Sequence, residues 1–219
     1  SNSGGVRDQM SRKPRPQGYM PRRNSFREQY ERILIVCEGT KTEPQYFKAM
    51  KRERRLTSLV VAGEHCKSEP DKIIKHAIEL KKKASESPDT KYEHVWCILD
   101  VEAPNPHASL EKAISTAKAN DIKLALSNPC FEYWYILHFE KTGKLFHKSK
   151  DVERELKTHY SAYKKNSKGI FAVLYPHTNT AIQNAKNVLS EKRCSEDLRK
   201  HNPSTHVHRI VEHLLDIRG

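Results

Sequence analysis

Five consecutive apolar residues, Ile33 to Cys37, open the first strongly patterned stretch of the chain, and they end abruptly in Glu38 and Gly39. A run this short and uninterrupted predicts a strand covered on both faces rather than a half-exposed one. Residues 42–51 change to helical spacing, with Thr42 and Gln45 at capping-box distance and Pro44 in the first turn. Residues 57–62 and 92–99 predict further strands, and residues 122–126 a fourth. Between them, residues 71–83 and 109–119 carry apolar positions at helical intervals, and residues 129–139 form a strongly apolar helix. Strands alternating with helices predict an α/β fold built on a mostly parallel four-stranded sheet flanked by helices on both faces.

Beyond residue 142 the strand signals thin out. Residues 151–160, 180–191 and 204–217 predict helices, and residues 170–174 one more short strand. Before residue 30 there is almost no aliphatic residue, and Arg7, Arg12, Lys13, Arg15, Arg22, Arg23 and Arg27 outweigh Asp8 and Glu28. The expected organisation is a flexible basic arm over residues 1–29, an α/β core over 30–141, and a mainly helical part over 142–219 packed on that core.

Composition narrows the functional classes. The 40 Lys plus Arg against 27 Asp plus Glu give a formal charge of +13, which favours a polyanionic partner, nucleic acid first. With 36% hydrophobic and 31% charged residues and no apolar run of membrane-spanning length, a soluble cytoplasmic protein without membrane association is expected. Cys37, Cys66, Cys97, Cys130 and Cys194 lie far apart and read as buried thiols in a reducing compartment. Cys130 precedes an apolar helix and reads as core rather than as a nucleophile.

The chemistry gathers at strand ends. In open parallel sheets the loops and helix amino termini converge beyond the carboxyl ends of the strands. The first strand ends in Glu38, and HVWCILDVE ends in Asp100 and Glu102. If those strands are neighbours, three carboxylates meet in one cleft, and such a cluster calls for a divalent cation, Mg²⁺ or Mn²⁺ by its oxygen-only ligands. These three acids are the candidate metal ligands and catalytic residues. Lys41, ahead of a helix amino terminus, is placed to meet a phosphate oxygen. Glu43 in the same turn reads first as a helix-dipole acid and second as a supporting ligand. Asn128 is a plausible cap for the apolar helix, and Glu132, one turn into it, is a candidate for facing the cleft.

Two further groupings are less specific. His201, His206, His208 and His213 cluster late in the chain without a zinc-ligand spacing, so surface or phosphate-contacting roles are expected, His208 among the substrate-contacting candidates. Tyr160, Tyr163, Lys164, Lys165 and Lys168 mix aromatic and basic side chains on an expected loop, suited to single-stranded nucleic acid and equally to a solvated linker.

Four blocks in this order, ILIVCEGTKTEPQYF, WCILDVE, SNPCFEYWYILHF and NPSTHVHRIVEHL, resemble the RloB family of bacterial proteins. The resemblance implies a Toprim-like fold, in which a glutamate ends the first strand and an Asp-x-Asp ends a later one, and it implies phage defence of the abortive-infection kind beside an ATPase of the ABC or AAA type. By position the glutamate falls on Glu38 and the acidic pair on Asp100 and Glu102, with Glu where the strict pattern has Asp. Three readings stay open: a metal-dependent nuclease of DNA or RNA, a non-catalytic module that binds nucleic acid and docks on the ATPase, and an enzyme acting on a smaller phosphate substrate. The sequence also leaves a homo-oligomer open.

Overall fold

The structure is a computed structural model that describes residues 31–63, 69–102, 105–165, 169–191 and 198–217. The basic arm expected over residues 1–29 lies outside the described residues, as do Cys66, Lys168 and Cys194. Strands β1 (Ile33–Cys37), β2 (Leu59–Ala62), β3 (His94–Asp100), β4 (Lys123–Asn128) and β5 (Ser204–Thr205) form one sheet in the order β2-β1-β3-β4-β5. The first four are mutually parallel, and β5 lies antiparallel to β4. The sheet therefore has five strands where four were expected. The additional one is only two residues long and comes from NPST, which reads as a helix start because no alternation can develop over two residues.

Helices α1 (Thr42–Glu53), α2 (Pro70–Ala84) and α3 (Leu110–Ala119) fill the crossovers between parallel strands. Then come α4 (Glu132–Ile136), α5 (Ser149–His159), α6 (Ile170–Leu174), α7 (Thr178–Glu191) and α8 (Val207–Asp216). Side chains of β1 alternate between two cores. Ile33, Ile35 and Cys37 join Trp96, Ile98 and Ala125 in a core with α1 and α4 to α8, whereas Leu34 and Val36 join Val95, Cys97 and Leu99 in a core with α2 and α3. All five residues of β1 are at most 1% exposed, so each of its four aliphatic side chains contributes in the range of about 1.5–3 kcal/mol expected for full burial. This two-sided burial is why the run shows no polar alternation.

Several local expectations are corrected. The 129–139 segment holds only a five-residue α-helix, flanked by tighter turns such as Tyr133 N–H to the Cys130 carbonyl and Phe139 N–H to the Ile136 carbonyl. Residues 170–174 are helical, not extended: Ile170, Phe171 and Leu174 are buried while Ala172 and Val173 are exposed, a one-sided helical pattern that the β-branched composition obscures. Helix α1 begins without the expected capping box, because the Thr42 hydroxyl donates instead to the Lys165 carbonyl at 3.2 Å. Among the described residues no helix is long and apolar enough to cross a membrane.

The β4–β5 seam rests on a buried hydroxyl pair. Ser127 Oγ lies 2.9 Å from Thr205 Oγ1, and Thr205 Oγ1 also accepts the Val207 N–H at 3.1 Å, at the start of α8. Replacing Thr205 with Val keeps the shape but leaves the buried Val207 N–H without that acceptor and the Ser127 hydroxyl without its partner. The expected loss is about 1–3 kcal/mol of unfolding free energy, measured by urea denaturation; a change below about 0.5 kcal/mol would show that the pair does not hold the seam.

Candidate functional site

Register alone brings the predicted acids together. Cys37 pairs with Ile98 in the ladder, and Glu38 N–H donates to the Ile98 carbonyl at 3.1 Å, carrying the pairing one residue past β1. The Glu38 carboxylate then turns across to β3, where its Oε2 accepts the backbone N–H of Asp100 at 2.8 Å. Asp100, the last residue of β3, follows Trp96 and Ile98 on the face that carries α1 and α4. Val101 N–H donates to the Ser127 carbonyl at 2.8 Å and Glu102 N–H to the Pro129 carbonyl at 2.9 Å, so pairing with the β4 side persists while the chain turns. Glu102 makes that turn with φ of 55°, a left-handed conformation unusual for a glutamate, and it is exposed at the rim.

Two more acids enter from the helices above this edge. Glu43, in the first turn of α1, is 6% exposed, and Glu132, in the first turn of α4, is 3% exposed. Glu43 keeps the first-turn position expected of a helix-dipole acid but is buried, its carboxylate folding back over Gly39. A Cβ built on Gly39 would lie 2.2 Å from Glu43 Oε2, which is why the residue after Glu38 has no side chain. Glu132 accepts the Tyr163 hydroxyl at 3.2 Å.

Burial dominates the electrostatics. It raises the Asp100 carboxyl well above its ordinary range, reinforced by the nearby charges of Glu43, Glu38, Glu132 and Glu102. Burial likewise raises Glu38 to about 7; the hydrogen bond from Asp100 opposes the rise, and Glu102 and Glu43 add to it. Glu43 is also raised to about 7, by burial first and by Glu132, with Lys165 and the backbone N–H groups of Glu43 and Gly39 pulling it down. Asp100 Oδ1 is buried and has no hydrogen-bond partner among the described residues. Lys165 supplies balancing charge: burial works against its ammonium, but Glu132, Glu153, Cys130 and Asp100 raise its pKa.

The other predicted residues distribute unevenly. Lys41 is exposed at the N-cap position of α1. Asn128 is fully buried as the last residue of β4, not as a helix cap, since α4 starts four residues later. His208 is buried on α8, its Nδ1 3.2 Å from the Thr205 carbonyl, and burial holds it down at about 4; neighbouring His206 is held at about 3. Surface histidines were expected here, but the amphipathic α8 turns both into the protein. Cys130 is buried and its thiol is pushed up by burial, Glu132 and Asp100, as a core cysteine should be. Tyr163 and Lys165 belong to the acidic site rather than to a solvated linker. Tyr163 reaches Glu132, 31 residues away, and the Lys165 carbonyl accepts from Thr42, 123 residues away, while the Lys165 ammonium also lies 3.8 Å from Glu153; no local pattern announces the first two.

The ligand atoms are not closed into a tight set. Among the described residues, the groups of three ligand atoms lying within 4.8 Å of one another are Glu31, His94 and His213, and Glu140, Glu155 and His159, and neither includes the acids of the sheet edge.

An α/β protein with a mostly parallel sheet and a buried acidic group at its carboxyl edge is the class that these features define. Residues 33–214 match the RloB-like protein family, and the chain belongs to it. No curated protein and no solved structure matches.

The raised Glu38 pKa fixes a sign. Below about 4.5 Glu38 is protonated in both folded and unfolded chains; between 4.5 and about 7 the unfolded chain ionises first, so stability falls as pH rises through that window. Glu38→Gln removes this penalty. In chelator-treated protein its melting temperature should gain on the wild type as pH rises from 4.5 to 7.5, and a pH-independent difference would refute the shift. Gly39→Ala should displace Glu43 and lower stability by about 1–3 kcal/mol, as overpacking does, measured by denaturant unfolding.

Proposed function

We propose that this protein is a Toprim-type, Mg²⁺- or Mn²⁺-dependent nuclease that hydrolyses phosphodiester bonds of DNA or RNA. Its setting is cytoplasmic phage defence, in partnership with an ABC- or AAA-type ATPase. The observation that carries the reading is Asp100 Oδ1, a buried carboxylate oxygen without a donor, ringed by Glu38, Glu43, Glu102 and Glu132 at the carboxyl edge of a parallel sheet. An all-oxygen, multiply anionic donor set suits a hard divalent cation, and the orphaned oxygen offers it a ready ligand.

Glu38 and Asp100 would hold the ion, with Glu102 reaching in from the rim. The bound ion supplies neutralisation of phosphate charge and activation of water for attack on phosphorus. The chain supplies the rest. Glu38 is fixed for holding the ion by the Asp100 N–H that its carboxylate accepts. Lys165, beside the acids, and Lys41, at the exposed start of α1, are the cations placed to meet phosphate oxygens, and the basic surface favours a polymeric substrate over a small nucleotide.

A second reading has its own support. Lys165 already supplies a counter-charge, which also fits a non-catalytic module that binds nucleic acid and docks on the ATPase. Cleavage of tRNA, single-stranded DNA and duplex DNA in Mg²⁺ or Mn²⁺, alone and with the ATPase, separates the two. Asp100→Asn should reduce cutting by more than the ~100-fold that loss of a merely supporting partner can cost, with unchanged circular dichroism. A folded Asp100→Asn protein that cuts as well as the wild type would end the nuclease reading.

A further inference from the structure

The opposite edge of the sheet carries a separate constellation. Glu31 stands just before β1, His94 is the first residue of β3, and His213 lies on α8, so three elements contribute one ligand-type side chain each. His94 Nε2 is 2.8 Å from Glu31 Oε1, and His213 Nε2 is 3.0 Å from Glu31 Oε2. The two imidazoles meet edge to face with centroids 4.7 Å apart, the His213 ring lying 6.4 Å from the Trp96 ring. The side chains are 40%, 26% and 20% exposed for Glu31, His94 and His213. The cluster is thus partly sheltered yet reachable by an ion from solvent.

We propose that Glu31, His94 and His213 form a zinc-binding site, distinct from the acidic cleft, that ties the root of the amino-terminal arm to α8. Two imidazole nitrogens and one carboxylate are a donor set for a borderline cation such as Zn²⁺, whereas the all-carboxylate cleft suits Mg²⁺ or Mn²⁺. Zinc–ligand distances of about 2.0–2.2 Å in tetrahedral geometry separate ligand atoms by roughly 3.4 Å. One ligand atom from each residue already lies within 4.8 Å of the others, so side-chain adjustment on the order of an ångström brings the set to that spacing, and the exposed side leaves the fourth position to water.

One neighbour opposes the ion. Lys123 Nζ lies 3.1 Å from His94 Nδ1 and 5.4 Å from the Trp96 ring centroid. A lysine donating to Nδ1 puts the imidazole proton on Nε2, the nitrogen that the metal needs bare. Zinc binding reverses the tautomer and turns the exposed Lys123 ammonium away. A carboxylate at position 123 would instead accept the Nδ1–H, the arrangement that orients metal-bound imidazoles. Lys123→Glu is therefore expected to bind zinc more tightly, whereas a plain Glu–His hydrogen-bonded clasp gives it no reason to.

The test titrates Zn²⁺ into the metal-stripped, tag-free full chain against a chromophoric chelator, with Co²⁺ spectra reporting the ligand type. One equivalent is expected to bind with an N/O-ligated tetrahedral spectrum. Its affinity should fall by about 100-fold or more in His94→Gln or His213→Gln, persist in Asp100→Asn, and rise by about 10-fold in Lys123→Glu. Absence of binding, binding unchanged in both histidine variants, loss confined to Asp100→Asn, or a thiolate charge-transfer band would each overturn the site. Should a histidine variant fail to fold, the Lys123→Glu affinity decides alone: a rise supports the site, no rise overturns it.

Discussion

Anionic oxygens buried without enough donors are the constraint around which this fold is arranged. Asp100 lies at the end of a strand whose other residues are packed on both faces, so it can neither retreat into solvent nor find a donor for Oδ1. Desolvation of a carboxylate is costly unless the charge is neutralised, hydrogen-bonded or abolished by protonation. The surroundings use each of these partially. A backbone N–H from Asp100 steadies Glu38, the Tyr163 hydroxyl steadies Glu132, and the Lys165 ammonium lends positive charge. What is left unbalanced is negative charge, held in place by the packing around it.

The helices follow from the same demand. Helices α1 and α4 both begin at the carboxyl edge of the sheet, and each places a glutamate in its first turn, where the positive end of the helix dipole favours it. Glycine at position 39 lets the first of them come close enough for Glu43 to lie against the backbone that follows β1. The cost of gathering acids is met by the packing behind them: Phe47, Phe131 and Trp134 are fully buried a turn or less away along the chain.

How much of this was legible beforehand depended on distance along the chain. Glu38 and Asp100 announced themselves because each directly terminates an apolar strand, and the parallel crossovers follow from alternation of strand and helix. The burial of Glu43 was not legible, because burial of a helix's first turn is decided by what packs over it, which no local pattern encodes. Tyr163 and Lys165 were visible as an aromatic and basic mixture, but their partners Glu132 and Thr42 are set by tertiary packing. Strand β5 was hidden for a simpler reason: two residues carry no period. The histidines of α8 looked like a single group and are divided, His206 and His208 packing inward while His213 reaches Glu31.

Strand β5 also orders events during synthesis. Thr205 closes on Ser127 across 78 residues, so the β4 flank of the sheet stays an open edge while everything between them leaves the ribosome. Unpaired edges recruit other strands, and a nascent chain with that flank exposed is at its most vulnerable to aggregation. The outer pairing of Ser127 and Asn128 thus depends on residues far along the chain, Thr205 and Ser204, which must be synthesised before that flank can be covered.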